Sequence, residues 1–317
     1  MLDDQSIAPS CFSFARFGIA SLIASPYTPS INTSKDKMEE DSFERICRET
    51  SHSDGNIWRW GLEMGFWMLL GYSFQAIGLE YTTAQRSGFL LYLNVKFVPF
   101  FAKFIFGRSI SAATWISAAT ALTGTALLSY DGSPPNVGDF WSILAAASSA
   151  MFIIRLEAAN RSIRKDQSSS LNSACLWVVT TGCFLWSLLT VDEIVASDSA
   201  PLFPPLAQLS LKVLTQSAEI FVNHPWEMLY LGGVTTALAN FIQTRGQRGI
   251  TAEKASIIYA MDPVFGAIFA YLILGESLGI KGVFGASLIT IAAATTAYLD
   301  FNKQTANESN RYDQTCA

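Results

Sequence analysis

The sequence predicts an all-α polytopic membrane protein assembled from two related halves, and three observations predict it. The first is Thr251–Leu278, TAEKASIIYAMDPVFGAIFAYLILGESL, almost wholly apolar from Ile257 to Leu274 and interrupted only by Asp262-Pro263. Ala255 to Leu274 rises roughly 30 Å as a helix, the thickness of a bilayer's hydrocarbon core. A soluble helix of that length carries a polar face, and this one has none. The second is an internal match. Displaced by 168 residues, Trp58–Tyr130 lies over Trp226–Tyr298 without a gap, with 16 of 73 positions identical. The identities include Gly65/Gly233, Gln75/Gln243, Gly78/Gly246, Thr83/Thr251 and Gly107/Gly275, while Asn94/Asp262 and Arg86/Lys254 are conservative pairs. Loops coincide as well as apolar segments, which marks an internal duplication. The third is composition: 15% of residues are charged and mean hydropathy is +0.29, where a soluble domain carries about 25% charged residues.

Composition also excludes several function classes. The net charge of −5 is spread over loops and tails and gives no basic footprint for nucleic acid. Cysteines 11, 47, 175, 183 and 316 lie too far apart for a disulfide framework or a zinc site. Both histidines, His52 and His224, fall in expected loops. No metal, cofactor or catalytic residue is called for.

The stretch ending in GESL and the following GVFGASLI resemble the end of an EamA-type carrier of the drug/metabolite transporter superfamily. Such carriers have two five-helix repeats; the second typically has a Pro near the start of its fourth helix and a Gly-Glu at its end. Here those are Pro263 and Gly275-Glu276. YTTAQRSGFLLYLNVKFVPFF is similar to the matching piece of the first repeat, and the resemblance covers roughly residues 10–300. It implies two inverted five-helix repeats: 1–131, with a charged loop at 27–57, and 137–300, followed by a polar tail at 301–317.

In chain order, Ser13–Ala24 is the first apolar run and carries Arg16; its ARFGIA is similar to the start of the family's second helix. No residues ahead of it can supply the family's first helix, so nine spans are visible and one is expected to be missing. Tyr27–Asn56, rich in Ser, Asp and Glu, reads as a solvated loop. Spans follow at Trp58–Tyr81, Ser87–Phe106 and Ala112–Tyr130. The turn cluster DGSPPNVGD (131–139) marks the border between halves. Phe140–Ile154, Leu171–Thr190, Trp226–Thr244, Ala255–Leu274 and Gly282–Leu299 complete the set. Within the long connection Asp192–Asn223, Ala207–Phe221 reads as an amphipathic interfacial helix.

Threading the spans alternately puts 15 Lys and Arg on the side holding loops 28–57, 107–111, 155–170, 245–254 and the tail, against Arg86, Lys212 and Lys281 on the other. The positive-inside rule then places the C-terminus in the cytoplasm, or in the stroma of an organelle. An odd number of helices per repeat inverts the second repeat, which is a transporter architecture.

Ionisable and amide side chains inside spans are candidate binding residues, because the bilayer makes them expensive. Lys96 lies midway along Ser87–Phe106, where Tyr92, Lys96, Pro99 and Lys103 share one helical face. Lys96 either serves a substrate pathway or pairs with a carboxylate such as Glu63 or Asp262; Lys103 can snorkel. Arg16 either orients an anionic group or binds a neighbouring helix end. Gln75/Gln243 and Asn94/Asp262 occupy equivalent repeat positions, so each pair either lines one cavity or bonds helix to helix. Pro99 and Pro263 are expected to break their spans. Glu276 reads as a helix-end cap.

The expected function is secondary transport of a small organic metabolite by alternating access, with an anionic substrate favoured by Lys96 and Arg16. The expected partners are that substrate and the lipid bilayer, with a homodimer left open. The expected location is a multi-pass site in the plasma membrane or an organellar envelope such as a plastid's. A non-transporting receptor or structural membrane protein is the alternative reading. An intramembrane enzyme would need a His/Asp/Glu cluster at helical spacing, which the spans lack.

Overall fold

The computed structural model describes residues 8–29, 42–129, 134, 136–190, 206–269, 271–272, 282–296 and 298, and among these every regular element is helical. The helices are α1 (Pro9–Ala24), α2 (Ser42–Tyr81), α3 (Ala84–Leu91), α4 (Asn94–Phe104), α5 (Ala112–Ser129), α6 (Val137–Ser162), α7 (Ser168–Thr190) and α8 (Leu206–Asn223). After them come α9 (Pro225–Leu229), a π-helical segment Tyr230–Leu238, α10 (Ala239–Gly246), α11 (Ala252–Tyr259), α12 (Asp262–Phe269) and α13 (Gly282–Thr296). The Gly275-Glu276 motif, the stretch 192–205 and the tail 301–317 lie outside the described residues.

Large apolar side chains are exposed on many of these helices. Ile116, Leu189 and Phe284 are 67%, 78% and 66% accessible, as a bilayer solvent permits and water does not. α6 and α7 are long and apolar enough to cross a bilayer as single helices. Ser87–Phe106, Trp226–Thr244 and Ala255–Leu274 are each divided into shorter helical segments.

Three expectations change. The expected loop at 27–57 is helical from Ser42 onward, as the N-terminal part of the 40-residue α2. Its charge misled, because Glu and Arg are good helix formers and no Pro interrupts Ser42–Tyr81. Ser87–Phe106 is two helices, α3 and α4, whereas the interruption of Ala255–Leu274 at Ala260-Met261 is the break expected beside Pro263. Pro99 leaves α4 intact. Its missing N–H removes a donor only from the Val95 carbonyl, one bond in a helix that goes on.

The described chain forms two compact units, and neither coincides with one half of the sequence. One takes its described residues from Met1–Ile77 and Arg155–Gly249; the other takes them from Gly78–Ile154 and Ile250–Ala317. Two of the three borders fall inside α2 and α6, and the third falls between α10 and α11.

In the first unit α2 crosses α7 where its glycines let the backbones approach. A Cβ on Gly61 would come within 2.7 Å of the Ala174 Cβ, and one on Gly65 within 2.6 Å of the Val178 Cβ. Small residues serve this purpose in lipid, where apolar burial no longer drives helices together. α1 is fastened to α7 by hydroxyl pairs, Ser21 to Thr180 and Ser10 to Thr190, both at 2.7 Å. α8 buries Val213, Ser217 and Ile220 on one face, at i, i+4 and i+7, and packs on Cys11 and Met228. Between α6 and α7, Arg248 donates to the Ser168 hydroxyl at 2.7 Å and the Arg164 carbonyl at 2.6 Å. There the backbone N–H of Asp166, and then Arg164, hold the Asp166 carboxyl below the usual carboxylate range.

The second unit is built on Val95, Ala118, Ala121, Ile257, Ala260, Val264, Ile289 and Ala292, all buried in one cluster. Gly124 of α5 meets the Gly285 carbonyl of α13, and Gly138 of α6 meets the Gly78 carbonyl at the end of α2. Three residues beyond the end of α4, Gly107 has a φ of 63° and turns the chain. The Arg108 N–H then donates back to the Ala102 carbonyl at 2.9 Å.

Candidate functional site

The site is organised by two helix breaks at equivalent positions. α3 stops at Leu91 and α4 starts at Asn94; α11 stops at Tyr259 and α12 starts at Asp262. Both breaks belong to the second unit and lie 168 residues apart, the offset of the internal match. Their backbone bonds also correspond. Leu93 donates to the Leu90 carbonyl at 3.1 Å, as Met261 does to Ile258 at 3.0 Å. Lys96 and Phe97 both donate to the Leu93 carbonyl, at 2.9 and 3.0 Å, as Val264 and Phe265 do to Met261, at 2.9 and 3.1 Å. Each break is thus one tight turn of i to i−3 bonds inside an apolar segment. Asp262-Pro263 is a strong local start signal, because Pro lacks the N–H a first turn leaves unused. In the first half Asn94-Val95 makes the same turn without proline, and Val95 donates to the Tyr92 carbonyl at 3.2 Å.

Polar side chains gather at these turns. Asn94 is 8% exposed; its Nδ2 donates to the Ser149 hydroxyl of α6 at 3.3 Å, while its buried Oδ1 has no partner. A buried acceptor without a donor costs desolvation that it does not recover. Tyr92 is half-buried and an electrostatic neighbour of Asp262. Asp262 is exposed at the start of α12. Lys96 is also exposed, and the described residues give it no ion pair. Glu63, a candidate partner for it, is taken by Arg155, whose Nη2 lies 2.8 Å from a Glu63 oxygen. The break divides the face drawn through Tyr92, Lys96, Pro99 and Lys103. Lys96, Phe100 and Lys103 are exposed, while Pro99 is buried beside Val98 and Ala102.

The other predicted residues belong to the first unit. Arg16 donates from Nε to the Thr236 hydroxyl at 2.7 Å and from Nη2 to the Thr235 hydroxyl at 3.5 Å. Both threonines donate in turn to the Leu231 carbonyl, at 2.7 and 2.8 Å, inside the π-helical segment. The Arg16 guanidinium lies 5.2 Å from the ring centre of Tyr72 and 5.7 Å from that of Phe17. No carboxylate pairs with it among the described residues, and two hydroxyls leave donors of its five N–H groups over. Gln75 and Gln243 are half-buried on α2 and α10.

The residues that sequence reasoning missed are partners. Ser149 lies on a helix with no motif at that point. The Thr235-Thr236 pair is marked only by a π-helix, a form common at functional sites but without a sequence signature. Arg86 and Asp139 form a bidentate pair, Nε to Oδ1 at 2.6 Å and Nη2 to Oδ2 at 2.7 Å. The signal for it was the reciprocal turn at Asn136 and Asp139, where each side chain accepts from the other's backbone N–H.

The sequence pattern of the EamA-like transporter family matches residues 4–130 and again 136–298. An uncharacterized transporter of Archaeoglobus fulgidus is 23% identical over 233 residues, which is 73% of this chain and 66% of that protein. An uncharacterized transporter of Clostridium kluyveri is 21% identical over 248 residues, 74% of this chain and 72% of its own. A protein of known crystal structure superposes with a TM-score of 0.60 at 14% identity, covering 93% of this chain and 90% of its own. With the family pattern matched across nearly all of both halves, this chain belongs to the EamA-like transporter family.

Proposed function

We propose that this chain is a secondary carrier that moves a small organic metabolite, preferentially an anionic one, by alternating access. The observation that carries the reading is the pair of helix breaks at equivalent positions, each bearing a polar residue, Asn94 or Asp262, inside an apolar segment. Secondary carriers build their sites from discontinuous helices at corresponding positions of inverted repeats. Family membership and transporter-named relatives support the same role. In this reading the repeats are 1–131 and 137–300, inverted with respect to each other, and the partners are the substrate and the bilayer. The host membrane is a plasma membrane or an organellar envelope; a homodimer is compatible with it.

The anionic preference rests on two cations without a carboxylate partner among the described residues, Lys96 and Arg16. An unpaired cation at mid-membrane costs about 3 kcal/mol on insertion scales. A substrate carboxylate or phosphate would offset that cost in the loaded state. Lys96→Gln is therefore expected to lower uptake of an anionic metabolite into proteoliposomes by about ten- to hundredfold, the loss of one charge-assisted contact. Its melting temperature should match that of the parent. Unchanged uptake, or an unfolded variant, removes the anion from the reading. A receptor would bind in the same vesicles without accumulating anything.

Orientation has its own test. The α6–α7 turn is expected on the side of the C-terminus and the 192–205 stretch on the opposite side. Ser168 is buried under Arg248 and makes a poor label site, whereas Lys165 is exposed. A cysteine in place of Lys165 and one in place of Ser197 should react with an impermeant maleimide from opposite sides. Reaction of both from one side rules out inverted repeats.

A further inference from the structure

We propose that Asp262 is a proton-binding carboxyl that couples this carrier to a proton gradient, an inference that rests on the carrier reading. The chemistry is a single protonation: one carboxylate oxygen takes a proton from one side of the membrane and releases it on the other. No bond of the substrate is made or broken. One proton moved with each singly charged anion makes the cycle electroneutral.

Asp262 sits at the break between α11 and α12, one residue from Met261 and flanked by the buried Ala260 and Val264. Its side chain is exposed, and among the described residues it has neither an ion pair nor a hydrogen bond. An ionised carboxylate inside a membrane segment is expensive without a partner, and protonation removes the charge. The groups that face it from the elements packed around it are few. Tyr92, at the opposing break, is its electrostatic neighbour and a phenol rather than a cation. Tyr259 lies one turn earlier on α11. Lys96 on α4 forms no ion pair with it. Glu253 and Lys254 begin α11 two turns away, and Glu253 is paired with Arg108 at 3.4 Å. α5 and α13 bring no titratable residue.

A proton asks less of the breaks than a sodium ion does. Sodium needs several oxygens, usually carbonyls of an unwound turn. Five carbonyls at the breaks, those of Leu90, Tyr92, Leu93, Ile258 and Met261, each already accept an N–H at 2.9–3.2 Å. A proton needs one carboxylate oxygen. The equivalent break adds an acceptor that lacks a donor, the buried Oδ1 of Asn94.

The test uses the full chain in proteoliposomes and dicyclohexylcarbodiimide, which reacts with protonated carboxyls in apolar surroundings. Peptide mass spectrometry should find Asp262 modified at acidic pH. On the alkaline side of its titration, modification should fall about tenfold per pH unit. Asp262→Glu should retain the reaction and Asp262→Asn should lose it, which covers the event that one variant fails to fold. A pH-sensitive dye inside the vesicles should also report proton entry with metabolite uptake, and entry should be absent with Asp262→Asn. No modification of Asp262, or modification independent of pH, overturns the proposal. Protection by sodium but not potassium at fixed pH overturns it in favour of sodium. Tracer exchange without any gradient tests the carrier reading separately, so failure of exchange beside pH-dependent labelling rejects that reading alone.

Discussion

Replacing Arg86 with Met is expected to destabilise the protein by about 3–5 kcal/mol, the cost of stranding one member of a buried ion pair. Arg86 and Asp139 are 6% and 7% exposed and bonded through both carboxylate oxygens. The pair ties the start of α3 to the start of α6, and Asp139 also accepts the Asn136 N–H at 2.9 Å. Without the guanidinium, the buried carboxylate loses its main counterion. Thermal unfolding in detergent should show a large drop in melting temperature and poor recovery of monodisperse protein. The double variant Arg86→Met with Asp139→Leu should recover much of the loss, because an apolar pair of similar volume carries no stranded charge. If the double variant is as unstable as the single, the capping of Asn136, not the ion pair, is what matters there.

Gly124→Ala comes second, with an expected loss of about 1–3 kcal/mol and more for Val. A Cβ at this position would meet the Gly285 carbonyl oxygen at 2.6 Å, the Ile289 Cγ1 at 2.8 Å and the Ile289 N at 3.0 Å. Two of those three atoms are backbone, so no side-chain rotation relieves the clash and α5 must move off α13. Gly88→Ala is the matched control, since nothing lies within 4 Å of its Cβ position. Gly88→Ala should melt with the parent protein. A Gly124→Ala protein that does the same shows that α5 and α13 do not touch along this line.

The helical class and the internal duplication were legible because both are carried by apolar runs and by their spacing. One helix break was legible too, since Asp262-Pro263 writes a start signal inside an apolar run. Its counterpart at Asn94 was not, because a tight turn without proline resembles continuous helix. Pro99 misled for the reverse reason: an isolated proline removes one donor and leaves the rest of α4 bonded. Arg16 stood out as an ionisable residue in an apolar run, but its partners Thr235 and Thr236 did not. They lie 219 and 220 residues away on a segment whose π-helical winding has no periodic signature. The interleaving of the halves into two units was hidden for the same reason, because contacts between distant segments leave no local pattern.

That interleaving sets an order of assembly during synthesis. Val95, Ala118 and Ala121 leave the ribosome early, but Ile257, Val264 and Ile289, which bury them, come from the far end of the chain. The interval is on the order of ten seconds at ordinary elongation rates. Through it, α3, α4 and α5 stand in the bilayer with Asn94 and Lys96 lacking the helices that complete their surroundings. The nascent chain therefore depends on lipid and on the insertion machinery to hold these helices until α11 to α13 arrive.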